Sequence, residues 1–406
     1  MSPSQAHRET LCVISPAAHL DGFASLSTPV YRASTILFPT ASDYRHRADR
    51  APDGYTYGLS GTPTTRALEE QIASLHGARR SIVVPSGQAA ITFAMLAILS
   101  TGDHLLVADN VYPPVKQFCR EILSTLGIEA ELFDPADPQD MQARIQPGRT
   151  KLVWLESPGS TTMEVADIPE LSRLAKASGA FVGCDNTWAT GLLCRPLELG
   201  ADLVSEALTK YCGGHSDLLL GAIVTNEPGL HERIRRSLSI LGVGVSPDEC
   251  SLAIRGIQTM AVRLQHAGDK ALQFAARIAN RYPFKVLHPA LPECAGHYVW
   301  KRDFRGSAGV FSIQLPDVAA DRIDEAIDRV KTFAIGASWG GTRSIIAPME
   351  IGADRHLKQR EGAATYLRVS VGLEAASDLW ADLEQMLDHV LKHHASSRTL
   401  IASNRE

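Results

Sequence analysis

The sequence predicts an α/β fold, with a mostly parallel seven-stranded sheet, helices on both its faces, and a smaller C-terminal α+β domain. Three observations lead there. Between about residues 61 and 225, short apolar runs alternate with segments of helical periodicity, the pattern of strand–helix–strand units. Seven strand candidates with intervening helices imply a largely parallel sheet covered on both faces. After about residue 255 the alternation gives way to strands and helices in mixed order. A chain of 406 residues also exceeds one simple core. Three segments are therefore expected: an arm over 1–60 that contacts a neighbouring subunit, a large domain over 61–255, and a small domain over 256–406.

The arm reads as irregular because Pro16, Pro29, Pro39 and Pro52 interrupt it. A helix opens at Arg66, with Leu68, Ile72 and Leu75 on one face and Gly77 as its stop. Strands follow at 81–84 and 104–107, with a helix from Gly87 to Leu99 between them. The next helix carries Phe118, Ile122, Leu123 and Leu126 and closes at Gly127. Further strands fall at 129–133, 151–155, 180–184, 203–208 and 221–225, and Asp167 caps a helix with Pro169 in its first turn. Beyond these, 310–315 and 367–371 read as strands, and 321–333 and the stretch from Leu379 as helices. The last has Leu379, Leu383, Met386, Leu387 and Val390 on one face.

Composition excludes several classes. Hydrophobic residues make up 45% and charged residues 21%, with a net charge of -5 and no basic tail. Neither a nucleic-acid nor a membrane partner is expected. The longest apolar stretch, 89–99, falls well short of the roughly 20 residues that span a bilayer. The polar first nine residues carry no secretory h-region, and seven scattered cysteines form no C-x-x-C pair. Reduced thiols in the cytoplasm are the expectation. The histidines form no H-E-x-x-H, so no metal is expected, and the dinucleotide glycine pattern is absent.

Chemistry gathers around Lys210. It follows the apolar run 203–208 and precedes Gly213-Gly214-His215, while Asp185 ends the apolar run 180–184. An amine and a carboxylate delivered at the ends of buried strands suit pyridoxal phosphate (PLP). The amine forms an imine with the aldehyde, and the carboxylate keeps the ring nitrogen protonated. Taken alone, Asp185 reads first as a helix cap or turn acceptor, and the pairing with Lys210 gives it the cofactor role. Ser86-Gly87-Gln88 leads from a strand into a helix whose N–H groups suit a phosphate, and Thr209 offers a hydroxyl beside it. Tyr112, after another strand, suits either ring stacking or packing. Arg368 interrupts the apolar strand 367–371. It needs an anion, whether a substrate carboxylate or a protein acid. Ser338-Trp339-Gly340-Gly341 is an aromatic turn that either lines a pocket or fills core.

These residues, in this order, resemble the Cys/Met-metabolism family of PLP enzymes with the aspartate-aminotransferase-type fold (fold type I), and within it the bacterial cystathionine β-lyases. The motifs that carry the resemblance include Tyr55-Thr56-Tyr57-Gly58, Leu155-Glu156-Ser157-Pro158-Gly159-Ser160, Asp185-Asn186-Thr187-Trp188, Thr209-Lys210-Tyr211, Trp300-Lys301-Arg302-Asp303 and Ser338-Trp339-Gly340-Gly341. Where this chain has Glu-Ser-Pro-Gly-Ser, γ-acting relatives usually have Glu-Ser-Pro-Thr-Asn-Pro. The resemblance implies that Lys210 holds PLP as an internal aldimine, Asp185 pairs with the ring nitrogen and Tyr112 stacks on the ring. It further implies that Gly87, Gln88 and Thr209 bind the phosphate, with Tyr57 reaching in from a neighbouring subunit. Arg368 and Ser338 would grip the substrate carboxylate, with Trp339 lining that pocket, in a homotetramer of two tight dimers. Leu59 stands where many relatives carry a phosphate-binding arginine, and Arg66 reads equally as a nearby substitute or as a surface residue. The implied activity is α,β-elimination from an amino-acid thioether, L-cystathionine, giving homocysteine, pyruvate and ammonia. A different cysteine S-conjugate or γ-elimination remain as alternatives.

Overall fold

The apolar runs become strands in a computed structural model that describes residues 6–14, 25–315, 320–351, 355, 357 and 365–403. The chain divides into one unit of Met1–Ser157 with Asp167–Ala261 and a second of Pro158–Ala166 with Val262–Glu406. The first holds strands β1 (Arg80–Val84), β2 (His104–Ala108), β3 (Glu129–Phe133), β4 (Thr150–Glu156), β5 (Phe181–Asp185), β6 (Leu203–Glu206) and β7 (Gly221–Thr225). Their order in the sheet is β1-β7-β6-β5-β4-β2-β3. β7 runs antiparallel to both its neighbours, and every other pairing is parallel. Six strands thus share one direction, and their carboxyl ends share one edge. All residues of β2, β6 and β7 are buried, which is why these runs lack polar alternation.

Local chemistry starts the helices. Six helices of this unit carry proline at the first or second position, where its missing N–H costs no hydrogen bond. Asp167 accepts the Glu170 amide, as a cap should. Gly77 sits at φ 64 and closes the helix Pro63–Leu75.

Three expected elements differ. The strand over 203–208 stops at Glu206, because the Ala207 amide leaves the ladder and donates to Thr187 Oγ1 at 2.9 Å. Lys210 therefore lies in a turn rather than at a strand end, with its N–H on the Ala207 carbonyl at 3.0 Å. Thr209 ties that turn to the start of β7: its N–H and hydroxyl both donate to the Leu220 carbonyl, and the Leu220 N–H donates back to its hydroxyl. The helix expected to reach Leu126 is α-helical only over Pro113–Phe118. A π turn (Cys119–Leu123) and a 3₁₀ turn (Ser124–Leu126) complete it. Cys119 and Leu123 are buried, whereas Ile122 and Leu126 point outward. In the second unit, the helix expected over 321–333 ends at Ile327. The Asp382 carboxylate accepts the amides of Lys331, Thr332 and Phe333 and fixes a non-helical path there.

The second unit adds β8 (Lys285–Leu287), β9 (Val310–Gln314), β10 (Ala334–Ile335), β11 (Ile345–Glu350) and β12 (Thr365–Ser370), in the order β10-β11-β12-β9-β8. Phe311, Ile313, Leu367 and Val369 of this sheet join Leu379, Leu383, Met386 and Leu387 of the helix Ala376–Ser403 in one core.

A buried ion cluster binds the arm of the first unit to its helices. Glu69 accepts Arg66 at 2.6 Å, Arg235 at 2.8 Å and the Val83 amide at 3.1 Å. Asp53 meets both His231 and Arg235 at 3.2 Å. Burial alone would raise the Asp53 carboxyl, but His231, Arg235 and Arg66 hold it down at about 2, from an ordinary 3.8. A lowered folded value means that this stability is complete above about pH 4 and is lost as pH falls toward about 2. Asp53→Asn should therefore melt below the parent near neutral pH, and the two melting curves should converge toward about pH 2 in a calorimetric series.

Candidate active site

The carboxyl edge of the large sheet collects the residues that can do chemistry. Asp185 ends β5, opposite Ser205 of β6. The Ser205 hydroxyl donates to its Oδ2 at 2.8 Å, and the Thr187 amide donates to its Oδ1 at 2.9 Å. Burial pushes this carboxyl up, the Thr187 and Ser205 hydrogen bonds pull it down, and Glu206 adds a like charge, with a net rise. The group is thus oriented before any ligand arrives. A fixed acid at this depth suits a cationic ring nitrogen.

The turn that carries Lys210 is anchored from beneath. The Cys212 thiol donates to Glu206 Oε1 at 3.0 Å, and Glu206 Oε2 meets His76 Nε2 at 2.5 Å. All three side chains are buried, whereas Lys210 itself is half-buried.

The helix Gly87–Ile98 begins against this turn. Ser86 caps it through the Ala89 amide at 3.0 Å, and its first turn has no acid. The amides of Gly87 and Gln88 have no acceptor within the helix. A Cβ on Gly87 would lie 2.4 Å from Ala207 Cβ, and one on Gly221 would lie 2.1 Å from the Ser86 carbonyl oxygen. Only glycines allow this close approach, and it leaves a cradle of bare backbone donors that fits a phosphate. The Thr209 hydroxyl already donates to Leu220, so binding a phosphate would require its proton to leave that carbonyl.

Tyr112 follows β2 with a half-exposed ring. Its amide donates to Glu156 Oε2 at 2.6 Å. Lys116 Nζ pins the same loop to the Asp109 carbonyl at 2.7 Å and carboxylate at 3.0 Å, and Gln88 Nε2 donates to the Pro114 carbonyl at 3.2 Å. Glu156 ends β4 directly opposite Asp185. It falls within the motif Leu155–Ser160, and the family resemblance assigns it no role. The available signal was that it closes an apolar strand just as Asp185 does.

Tyr57 is 55% exposed on the arm. Leu59 lies over Gly244. Arg66, the expected substitute for an arginine at 59, is committed elsewhere. It bonds to Glu69, the Asp53 carbonyl and the Ser60 carbonyl. A cavity of about 650 Å³ lies here, lined by Arg45, Leu59, Arg236 and Val243 among others. Its lining comes from the arm, the helix Pro228–Ile240 and the residues after it, with Thr65 and Val83.

In the second unit, β12 places Arg368 between Ser312 of β9 and Ala347 of β11. Its Nη2 donates to the Ser338 carbonyl at 3.1 Å. Ser338 adopts φ 75 and Gly340 φ 83, a left-handed pair that non-glycine residues rarely enter. The Gly340 amide donates to Ser370 Oγ at 3.2 Å. Ser338, Trp339 and Arg368 are thereby held in one cluster.

A seven-stranded sheet with a lysine turn and a locked aspartate on its carboxyl edge defines the fold-type I class of PLP enzymes. A family model described as Cys/Met metabolism PLP-dependent enzyme matches residues 9–388. Among curated relatives, a putative cystathionine beta-lyase of Rhizobium johnstonii is 40% identical over 89% of this chain and 90% of its own length. A cystathionine beta-lyase of Bordetella avium is 39% identical over 90% and 93%, and an L-alanine/L-glutamate racemase of a Wolbachia strain is 37% identical over 89% and 92%. The crystal structure of metB from Corynebacterium glutamicum superposes with a TM-score of 0.88 at 28% identity, covering 96% of this chain and 100% of that one. The chain belongs to the Cys/Met-metabolism family of PLP-dependent enzymes.

Gly87→Ala should force the helix start away from Ala207 and weaken PLP binding by about tenfold or more, an energy of about 1.4 kcal/mol. Fluorescence titration of the cofactor-free protein with PLP measures this directly.

Proposed function

We propose that this chain is a carbon–sulfur β-lyase that cleaves L-cystathionine to homocysteine, pyruvate and ammonia. The observation that carries the reading is the orientation of Asp185 by Ser205 and Thr187 on the edge that also bears the Lys210 turn. When bound, PLP supplies an electron sink that stabilises negative charge at the substrate Cα. Asp185 holds the ring nitrogen by charge. Lys210 would anchor the cofactor and, as a free amine, would take the proton from Cα as general base. Lys210 or Tyr112 returns a proton to the departing thiol. Tyr112 covers the ring, while Gly87, Gln88 and Thr209 serve the phosphate, helped by Tyr57 of a neighbouring copy. Arg368 binds the substrate carboxylate with Ser338 and Trp339. Fixing that carboxylate aligns the Cα–H bond for removal.

The exposed Tyr57 and Leu37 of the arm support assembly into a homotetramer. The cysteines are all buried, and we set the protein in the cytoplasm, where thiols stay reduced. A second reading is lysis of a different cysteine S-conjugate. It is favoured by Leu59 lying over Gly244 with Arg66 committed elsewhere, and by Pro113-Pro114 stiffening the segment after Tyr112.

Purified protein loaded with PLP should release pyruvate from L-cystathionine, and Lys210→Ala should abolish both the yellow colour and turnover. Predominant 2-oxobutyrate would replace the β-lyase reading with γ-elimination. Racemised alanine without keto acid would replace it with a racemase. Undiminished turnover in Lys210→Ala would remove the lysine mechanism. Pyruvate from other cysteine conjugates at much higher kcat/KM would favour the second reading.

A further inference from the structure

We propose that Glu156 is a positioning residue that works as a neutral acid, clamping Tyr112 to the sheet edge while leaving the negative charge on Asp185. The proposal deepens the PLP reading and rests on it for the role of Asp185. The geometry comes from two strand ends. Glu156 and Asp185 face each other in the parallel register of β4 and β5, so two carboxyl groups stand side by side. Neighbouring like charges oppose each other's ionisation, so one of the two groups keeps its proton more readily than an isolated acid would.

The neighbours decide which group keeps it. Asp185 receives the Ser205 hydroxyl and the Thr187 amide, donors that favour the anion. Glu156 receives one donor, the Tyr112 amide, at 2.6 Å. A carboxylic acid still accepts that bond through its carbonyl oxygen. The nearby cation is Lys116, but its ammonium is bonded to Asp109 at 3.0 Å. The other titratable neighbours are the Cys184 thiol of β5, itself pushed up by burial and by acids that include Asp185 and Glu156, and Tyr112. Among the described residues, the positive charge acting on Glu156 comes from Lys116, which Asp109 already shares. Burial pushes the Glu156 carboxyl well above the usual range and the Asp185 charge adds to it, against a smaller pull from the Tyr112 amide and Lys116.

The consequence is testable without cofactor. A carboxyl raised in the folded state stabilises the fold most at low pH, and that stability is lost as pH rises through the folded value. Glu156→Gln keeps a neutral acceptor for Tyr112 and removes the titration. Cofactor-free parent protein should therefore lose melting temperature toward alkaline pH more steeply than Glu156→Gln, with the two curves meeting in mild acid. Parallel curves would overturn the proposal. In PLP titrations Glu156→Gln should stay within about twofold of the parent, whereas Glu156→Ala should bind about tenfold more weakly or more, having lost the Tyr112 anchor. Equal loss in both variants would also overturn it, because the charge rather than the neutral acceptor would then be needed. If the parent binds no PLP at all, the PLP reading fails, while the melting series still reports the proton on Glu156.

Discussion

A carboxylate held at the end of a buried strand is the constraint on which the first unit depends. An acid at such a depth is costly unless hydrogen bonds meet it. The chain meets this with Ser205 from the next strand and Thr187 from the following loop. Thr187 also turns β6 off its ladder by taking the Ala207 amide. One residue thereby orients the acid and ends the strand that leads to Lys210, so the position of the amine follows from the stabilisation of the carboxylate.

The same economy holds around the phosphate cradle. Gly87 lets the helix start press on Ala207, and Gly221 lets β7 pass the Ser86 carbonyl. The cradle is therefore a by-product of how β1, β6 and β7 pack, and side chains contribute little to it. Leu59 over Gly244 is consistent with this: that side chain lines the cavity of the arm, and the guanidinium at Arg66 serves the fold through Glu69.

Much of this was legible in the sequence. Residues 221–225 form a strand as read, because they are a continuous apolar run between turn residues, whereas 129–133 carries two glutamates and forms the edge strand of the sheet. Lys210, Asp185, Tyr112 and Gly87 stood out because each follows such a run. What stayed hidden depends on strand order. Nothing in the sequence says that β4 lies beside β5, so the partnership of Glu156 with Asp185 could not be read. Nor does the chain announce that Asp382 will take three amides some fifty residues away and stop a helix whose periodicity continues. The helix after Tyr112 was misread because Ile122 and Leu126 keep an apolar spacing while the backbone widens and turns them outward.

The clasp between Thr209 and Leu220 has a mechanical outcome. β6 and β7 are adjacent and antiparallel, with Glu206 opposite Ala222, so the segment between them is a closed hairpin rather than a long crossover. Sliding the amine along the sheet axis would require both strands to slip in step, which would turn every buried side chain of each onto the opposite face. The loops after β1, β2 and β3 leave the same edge into helices. The lysine backbone is thus the fiducial mark of the site, against which the mobile parts of a turnover cycle must register.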